Sequence, residues 1–226
     1  MADFSLERLD VDGALAEAVD GVGGLSRAGF MAAGLGGSLA LLGVAAGEAR
    51  AQGPGPGDLA ILNYALTLEY LQASFYTEAE RLRALKGRTE RAAEVVGSVE
   101  RAHVRAFREL LGSKAVKRPA FDFQGVTENP RAFLKTAVAF EDLAVAAYKG
   151  QAPRLESSSV LAAALSIHSV EARHAAWMRY LFGANPAQAA FDQPSSKREV
   201  LRIVRSTNFV TGSPSTERNR APRYTG

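Results

Sequence analysis

The chain has 226 residues, of which 47% are hydrophobic and 23% charged, with a formal net charge of +3. That length fits one domain with appendages and a core large enough to fold unaided. Cysteine is absent and there are three histidines, which excludes disulfides, thiol catalysis, thiolate zinc sites and cysteine-ligated iron–sulfur clusters, and leaves carboxylates to carry any metal site.

The charge is uneven along the chain. Residues 1–51 hold three Arg against seven Asp and Glu, a net of −4. Within them residues 28–47 are uncharged, preceded by Arg27 and followed by Ala49-Arg50-Ala51. A basic flank, a weakly apolar run and a small-x-small site are the order of a signal peptide cleaved after Ala51. Ser26-Arg27-Ala28-Gly29-Phe30-Met31 resembles the twin-arginine export box, with Ala28 in place of the second Arg. Export to the periplasm or cell envelope is the favoured reading. An uncleaved membrane anchor formed by 28–47, since about 20 residues span a bilayer, and an Ala/Gly-rich buried helix remain open. Residues 52–57, rich in Gly and Pro, are a linker into the folded domain.

Helical signals dominate from Asp58 onward. Asp58 is expected to cap a helix over 59–86 that Gly87 stops, and a second helix is expected over 89–111, stopped by Gly112. A longer connection over 113–128 follows. Asn129-Pro130 is an N-cap with proline at the first helical position, opening a helix to Lys149 and Gly150. A fourth helix starts within 157–159 and ends at Phe182-Gly183. A short helix over 196–205 would dock through Val200, Leu201 and Val204, and 211–226 is expected to be disordered. The folded domain is thus 58–183 and the C-terminal extension 184–226. Residues 197–226 carry seven basic and two acidic groups. Such a tail attracts an anionic surface, although a solvated tail without a dedicated partner is the simpler reading.

The two halves of the helical region repeat one another. Leu68-Glu69-Tyr70-Leu71 with Tyr76 parallels Phe140-Glu141-Asp142-Leu143 with Tyr148, the Tyr following its Glu by seven residues in both. Val99-Glu100-Arg101-Ala102-His103 parallels Val170-Glu171-Ala172-Arg173-His174. The Glu-to-Glu step is 31 residues from Glu69 to Glu100 and 30 from Glu141 to Glu171. Two hairpins, each with a lone Glu on one helix and Glu-x-x-His on the next, imply an all-α, pseudo-two-fold four-helix bundle with a crossover between its halves.

At positions i and i+3 two side chains share a helix face, offset by about 4.5 Å along the axis. Each Glu-x-x-His can therefore aim a carboxylate and an imidazole at one point. Four carboxylates and two imidazoles converging from four helices are the ligand set for two oxygen-loving divalent ions, whose charge the carboxylates balance. The lone Glu residues lie on apolar stripes, Leu62, Leu66, Ala73 and Tyr76 around Glu69, and Phe133, Ala137, Ala144 and Tyr148 around Glu141. Glu171 and His174 are flanked by Leu161, Ala164, Ile167 and Met178. Unpaired carboxylates on such faces are costly to bury unless protonated or metal-bound.

On these motifs the chain from Asp58 to Gly183 resembles the ferritin-like di-iron carboxylate superfamily. It is more narrowly similar to exported ferritin-like domain proteins grouped with desiccation-related proteins. The residues that carry the likeness are 61–71, Phe75-Tyr76-Thr77-Glu78-Ala79, 170–176 and Ala190-Phe191-Asp192-Gln193-Pro194. The resemblance implies Glu69, Glu100, His103, Glu141, Glu171 and His174 as metal ligands, with Glu100 and Glu171 bridging. His168 is read as a core histidine or one that supports the ligands in preference to a seventh ligand, with Gly97 in the matching place of the other half. Tyr76 and Tyr148 are read by default as core residues, with carrying electrons or hydrogen-bonding as their alternative roles, Glu78 as too far around its helix to be a ligand, and the Arg-rich stretch 81–118 as a solvated face.

The expected function is redox chemistry at an iron or manganese pair, with oxygen, peroxide or Fe²⁺/Mn²⁺ as the small oxidant or metal-ion substrate. The alternative is a non-enzymatic stress- or desiccation-related protein whose metal site is structural. A DNA-protecting role for the basic tail is disfavoured, because export would contradict it.

Overall fold

A computed structural model describes residues 54–212. The 28–47 run and the tail beyond Gly212 lie outside the described residues. Four long helices, α1 (Pro56–Leu82), α2 (Gly87–Leu111), α3 (Pro130–Gln151) and α4 (Ser158–Phe182), form two hairpins, α1 with α2 and α3 with α4, that pack on each other. A fifth helix, α5 (Lys197–Ser206), lies against α3, where Val200 and Val204 are buried and Leu201 packs at the core's edge.

Several ends follow the expected chemistry. Asn129 Oδ1 accepts from Ala132 N–H at 2.9 Å with Pro130 behind it, and Ser157 Oγ accepts from Val160 N–H. Gly183 closes α4 at φ 87°, and Ala184 N–H reaches back to the Arg179 carbonyl at 2.8 Å.

Four ends differ. Helix α1 begins at Pro56, inside the expected linker, so Asp58 is not its cap. The Asp58 carboxylate, buried at the first turn, accepts from Glu156 N–H at 2.9 Å and Ser157 N–H at 3.0 Å, tying the starts of α1 and α4 together. Helix α1 also ends four residues early, at Arg83 with φ 54°, because the turn must carry Leu85 into the core. Gly150 does not stop α3. It lies within the helix, where a Cβ would stand 2.0 Å from the Ser195 carbonyl oxygen, while Ser195 N–H donates to the Ala146 carbonyl at 2.9 Å. The glycine is there because backbone crosses it. Finally, the first residues of the expected disordered tail are in a strand: β1 (Ala120–Phe121) pairs antiparallel with β2 (Val210–Gly212).

The connection between the hairpins lies along the outer side of α1. Asn63 bonds both the Lys114 carbonyl and Val116 N–H, Arg118 donates to Ser74 Oγ, and Thr127 Oγ1 donates to Glu78 Oε1. Successive residues of the connection thus meet successive turns of α1, and the chain returns the full length of the bundle before α3 starts. On the way Phe121 and Phe123 enter the core, next to Phe75, which stacks on Phe133 with ring centres 5.0 Å apart. Helix α4 is the least covered of the four. Leu161, Ala164 and Ile167, expected on its buried stripe, are only half-buried, because the crossover and α5 shield α1 and α3 instead. Among the described residues no helix is long and apolar enough to cross a membrane.

Gly150→Ala should force the Ser195 backbone off α3 and lower stability by about 1–3 kcal/mol. An unchanged denaturation midpoint would mean that this segment does not rest on the helix.

Candidate metal centre

Each helix delivers its functional side chains to one level of the bundle. Glu69 comes from α1, Glu100 and His103 from α2, Glu141 from α3, Glu171 and His174 from α4. All four carboxylates are 0% exposed and both imidazoles are nearly so. The six make two overlapping groups that could each hold a metal ion, Glu69, Glu100, His103 and Glu171 in one, and Glu100, Glu141, Glu171 and His174 in the other. Within each group the candidate ligand atoms lie within 4.8 Å of one another. Glu100 and Glu171 belong to both.

The contacts are those of a ring of electron donors around a common centre. His103 Nδ1 lies 3.2 Å from both Glu69 Oε2 and Glu171 Oε1, and 3.6 Å from Glu100 Oε2. His174 Nδ1 lies 2.9 Å from Glu100 Oε1 and 3.6 Å from Glu141 Oε2. Yet both Glu100 oxygens, Glu171 Oε1 and His174 Nδ1 are buried with no partner in hydrogen-bonding geometry. Buried polar atoms are otherwise almost always paired. Orphaned carboxylate oxygens that face imidazole nitrogens are fitted to a cation between them, and the O₄N₂ donor set suits iron or manganese.

Two tyrosines bind the hairpins together at this level. Tyr76 Oη donates to Glu141 Oε1, and Tyr148 Oη donates to Glu69 Oε1. Each Tyr lies seven residues beyond one lone Glu and reaches the other, which requires α1 and α3 to run antiparallel. Burial, then the nearby carboxylates, raise both phenols well above the usual tyrosine range, so they stay protonated donors. The pair therefore does more than pack.

Gln72 is absent from the sequence reading. It stands three residues after Glu69, a polar group on the apolar stripe, and that position on the inward face was the available signal. Its Nε2 donates to Glu141 Oε2 at 3.1 Å and Glu171 Oε2 at 3.3 Å. His168 lies outside both ligand groups; its ring is half-buried and its Nε2 is buried without a partner. At Gly97, its counterpart, a Cβ would lie 2.8 Å from Tyr76 Cβ, so only glycine lets α2 close on α1 there. Glu78, bonded to Thr127, is turned away from the centre as expected. The Arg-rich stretch does more than meet solvent. Arg101, Arg105 and Arg108, with Lys117 and Arg118, line a groove of about 1150 Å³ under the crossover, in which none of the six takes part.

The protons of the site show how much charge it concentrates. Burial pushes Glu69 up to about 7, against the pull of His103. Burial and then the Glu100 charge hold Glu171 well above the carboxylate range. For Glu100 burial acts upward too, but the two imidazoles facing it prevail and hold it at about 2. Burial would lower the imidazoles, yet the surrounding carboxylates raise His103 well above its ordinary value and His174 to about 10.

Residues 57–184, more than half of the chain, match the family model of the ferritin-like domain. The protein belongs to the ferritin-like domain family. No curated protein matches it.

A pH dependence follows for the chelated protein. Glu69 and His174 both titrate higher when folded, so what they add to stability is present at low pH and fades as pH rises through about 7 and about 10. Glu100 acts oppositely, and its contribution fades as pH falls toward about 2. Chelated protein should therefore melt at a lower temperature near pH 9 than near pH 6. Excess Mn²⁺ should flatten that slope and release protons, detectable as a buffer-dependent binding enthalpy. A flat profile without metal would contradict the charge coupling.

Proposed function

We propose that the protein is an exported ferritin-like protein that holds two divalent ions, iron or manganese, between Glu69, Glu100, His103, Glu141, Glu171 and His174, and turns over oxygen, peroxide or Fe²⁺/Mn²⁺ as substrate. The observation that carries this reading is Glu100: both oxygens buried and without a hydrogen bond, on a residue shared by the two ligand groups. Glu171, the other shared carboxylate, has one oxygen in the same condition.

When bound, such a pair of ions would supply one-electron redox chemistry at two adjacent centres. The chain's residues do the rest. Glu69 with His103 would hold one ion and Glu141 with His174 the other, and Glu100 and Glu171, which belong to both groups, would be available to either. Tyr76 and Tyr148 hold the lone carboxylates in place from the opposite hairpin, and their phenols keep protons beside the site. Apolar neighbours such as Phe75, Phe133 and Met178 exclude bulk water. The relation to exported, desiccation-related proteins rests on the motifs quoted above. A basic tail at an anionic envelope surface fits the same setting.

The direct test is metal content and spectroscopy of protein purified without added metal, beside turnover of oxygen or peroxide. His174→Ala should lose the ion of its own position, and Glu171→Ala should disturb both, each by more than the 10–100-fold that loss of an outer hydrogen bond costs in affinity. Turnover should fall in both and much less in His168→Ala. Unchanged turnover in metal-depleted His174→Ala would make the site structural and give the lead to the non-enzymatic reading.

For location, protein recovered from its native host should begin at Gln52. A cytoplasmic product starting at Met1 would defeat export, and a full-length membrane-bound form would favour an anchor.

A further inference from the structure

The six candidate ligands obey the two-fold repeat, but the hydrogen bonds around them do not. Gln72 is 2% exposed, and its Nε2 contacts two carboxylates of the opposite hairpin, on α3 and α4. The matching place in the second half, three residues after Glu141, is Ala144, which has no polar side-chain atom. Glu141 is consequently held through both oxygens, Oε1 by Tyr76 and Oε2 by Gln72. Glu69 receives Tyr148 on Oε1, and its Oε2 meets only the ring nitrogen of His103. That nitrogen is itself a candidate ligand atom, so it cannot both bind an ion and hold Glu69.

We propose that Gln72 is a positioning residue that makes the two metal positions unequal. The position built on Glu141 and His174 fills first and keeps its ion, and the position built on Glu69 and His103 exchanges its ion with solvent. The inference rests on the two-ion reading above. Its physical basis is preorganisation. A carboxylate fixed at both oxygens loses little freedom when it takes up an ion, and each oxygen keeps a lone pair for the metal. Glu69, fixed at one oxygen, must be ordered by the ion itself and is free to swing when the ion leaves. Gln72 also orients Glu171 through Oε2, leaving the orphaned Oε1 as the oxygen turned toward the His103 side. For a protein whose substrate is itself Fe²⁺ or Mn²⁺, this separates a resident ion from a passing one.

The experiment is an anaerobic calorimetric titration of the full chain with Mn²⁺, repeated with Co²⁺ so that absorption reports each position. Two steps are expected, differing in affinity by about tenfold or more. His174→Ala should remove the tighter step and His103→Ala the weaker. Gln72→Leu should weaken the tighter step by about 10–100-fold, the usual effect of losing a hydrogen bond behind a ligand, and so merge the two. The converse variant, Ala144→Gln, places an amide in the matching position, beside a small cavity lined by Leu68, Leu71, Gln72, Phe140, Leu143 and Ala144. It should tighten the weaker step, and it keeps the idea testable if Gln72→Leu does not fold. Equal steps in the wild type, or an affinity ratio that neither variant changes, would overturn the role of Gln72 while leaving two bound ions in place. A wild type that binds no ion would overturn the two-ion reading and this inference with it.

Discussion

Four carboxylates, none exposed to solvent, share one small volume between four helices. Like charges so close in a medium that screens poorly repel strongly, and each has given up its hydration. Positive charge must therefore be present, either as protons or as cations. The upward shifts of Glu69, Glu171, His103 and His174 are the proton solution, and the low value of Glu100 marks where two imidazolium rings concentrate their field. Two divalent ions would be the metal solution, because they carry the four charges the carboxylates require. Metal binding and proton release are then one event seen from two sides.

The fold supplies what this charge cluster needs, a frame that cannot spread. Removing a ligand from its neighbours would require separating helices that are tied at other levels. Tyr76 and Tyr148 lace α1 to α3 at the site itself. Asp58 pins the start of α1 to that of α4, and the Arg179–Asp142 ion pair, at 2.7 Å, links α4 to α3. The crossover adds a strap along α1, anchored in the core by Phe121 and Phe123. Antiparallel α1 and α3 follow from the tyrosine bonds. With α2 returning beside α1, the chain has to traverse the bundle before α3 can begin, so the strap is a consequence of the site's symmetry as well as its support.

The repeat made most of this readable from the sequence. The spacing of Glu and Glu-x-x-His places side chains on faces by helix geometry alone, and the six residues meet where that geometry puts them. The ends of elements were less legible because they depend on partners distant in sequence. Asp58 has the composition of a cap, but its amide partners are almost a hundred residues away at Glu156 and Ser157. Gly150 has the look of a helix stop, and its purpose is set by the Ser195 backbone that crosses it. Gln72 is hidden for another reason: the repeat displays what the halves share, and Gln72 with Ala144 is a difference between them. A polar residue on an apolar stripe one turn from a ligand was the sign that the symmetry stops at the first layer.

That asymmetry gains weight from where the site meets solvent. Of the six side chains, only His103 and His174 reach it, at 11% and 8% exposure. The carboxylates stand behind them. An ion or small oxidant arriving from outside therefore meets the imidazole edges between α2 and α4 first. The first half of α4 carries no Asp, Glu, Lys or Arg from Ser157 to Val170, whereas Arg173 adjoins His174 and Arg101 and Arg105 stand two residues either side of His103. The large groove beneath the crossover, lined by basic side chains together with Glu78, Glu109, Asp122 and Glu128, contains none of the six residues. His103 and His174 are exposed to nearly the same extent, so exposure alone does not distinguish the two groups. What does distinguish them is the hydrogen bonding of their lone carboxylates. Glu141 is bonded at both oxygens by Tyr76 and Gln72, while Glu69 has Tyr148 on one oxygen and only the His103 ring nitrogen on the other, and Ala144 stands in the place that matches Gln72.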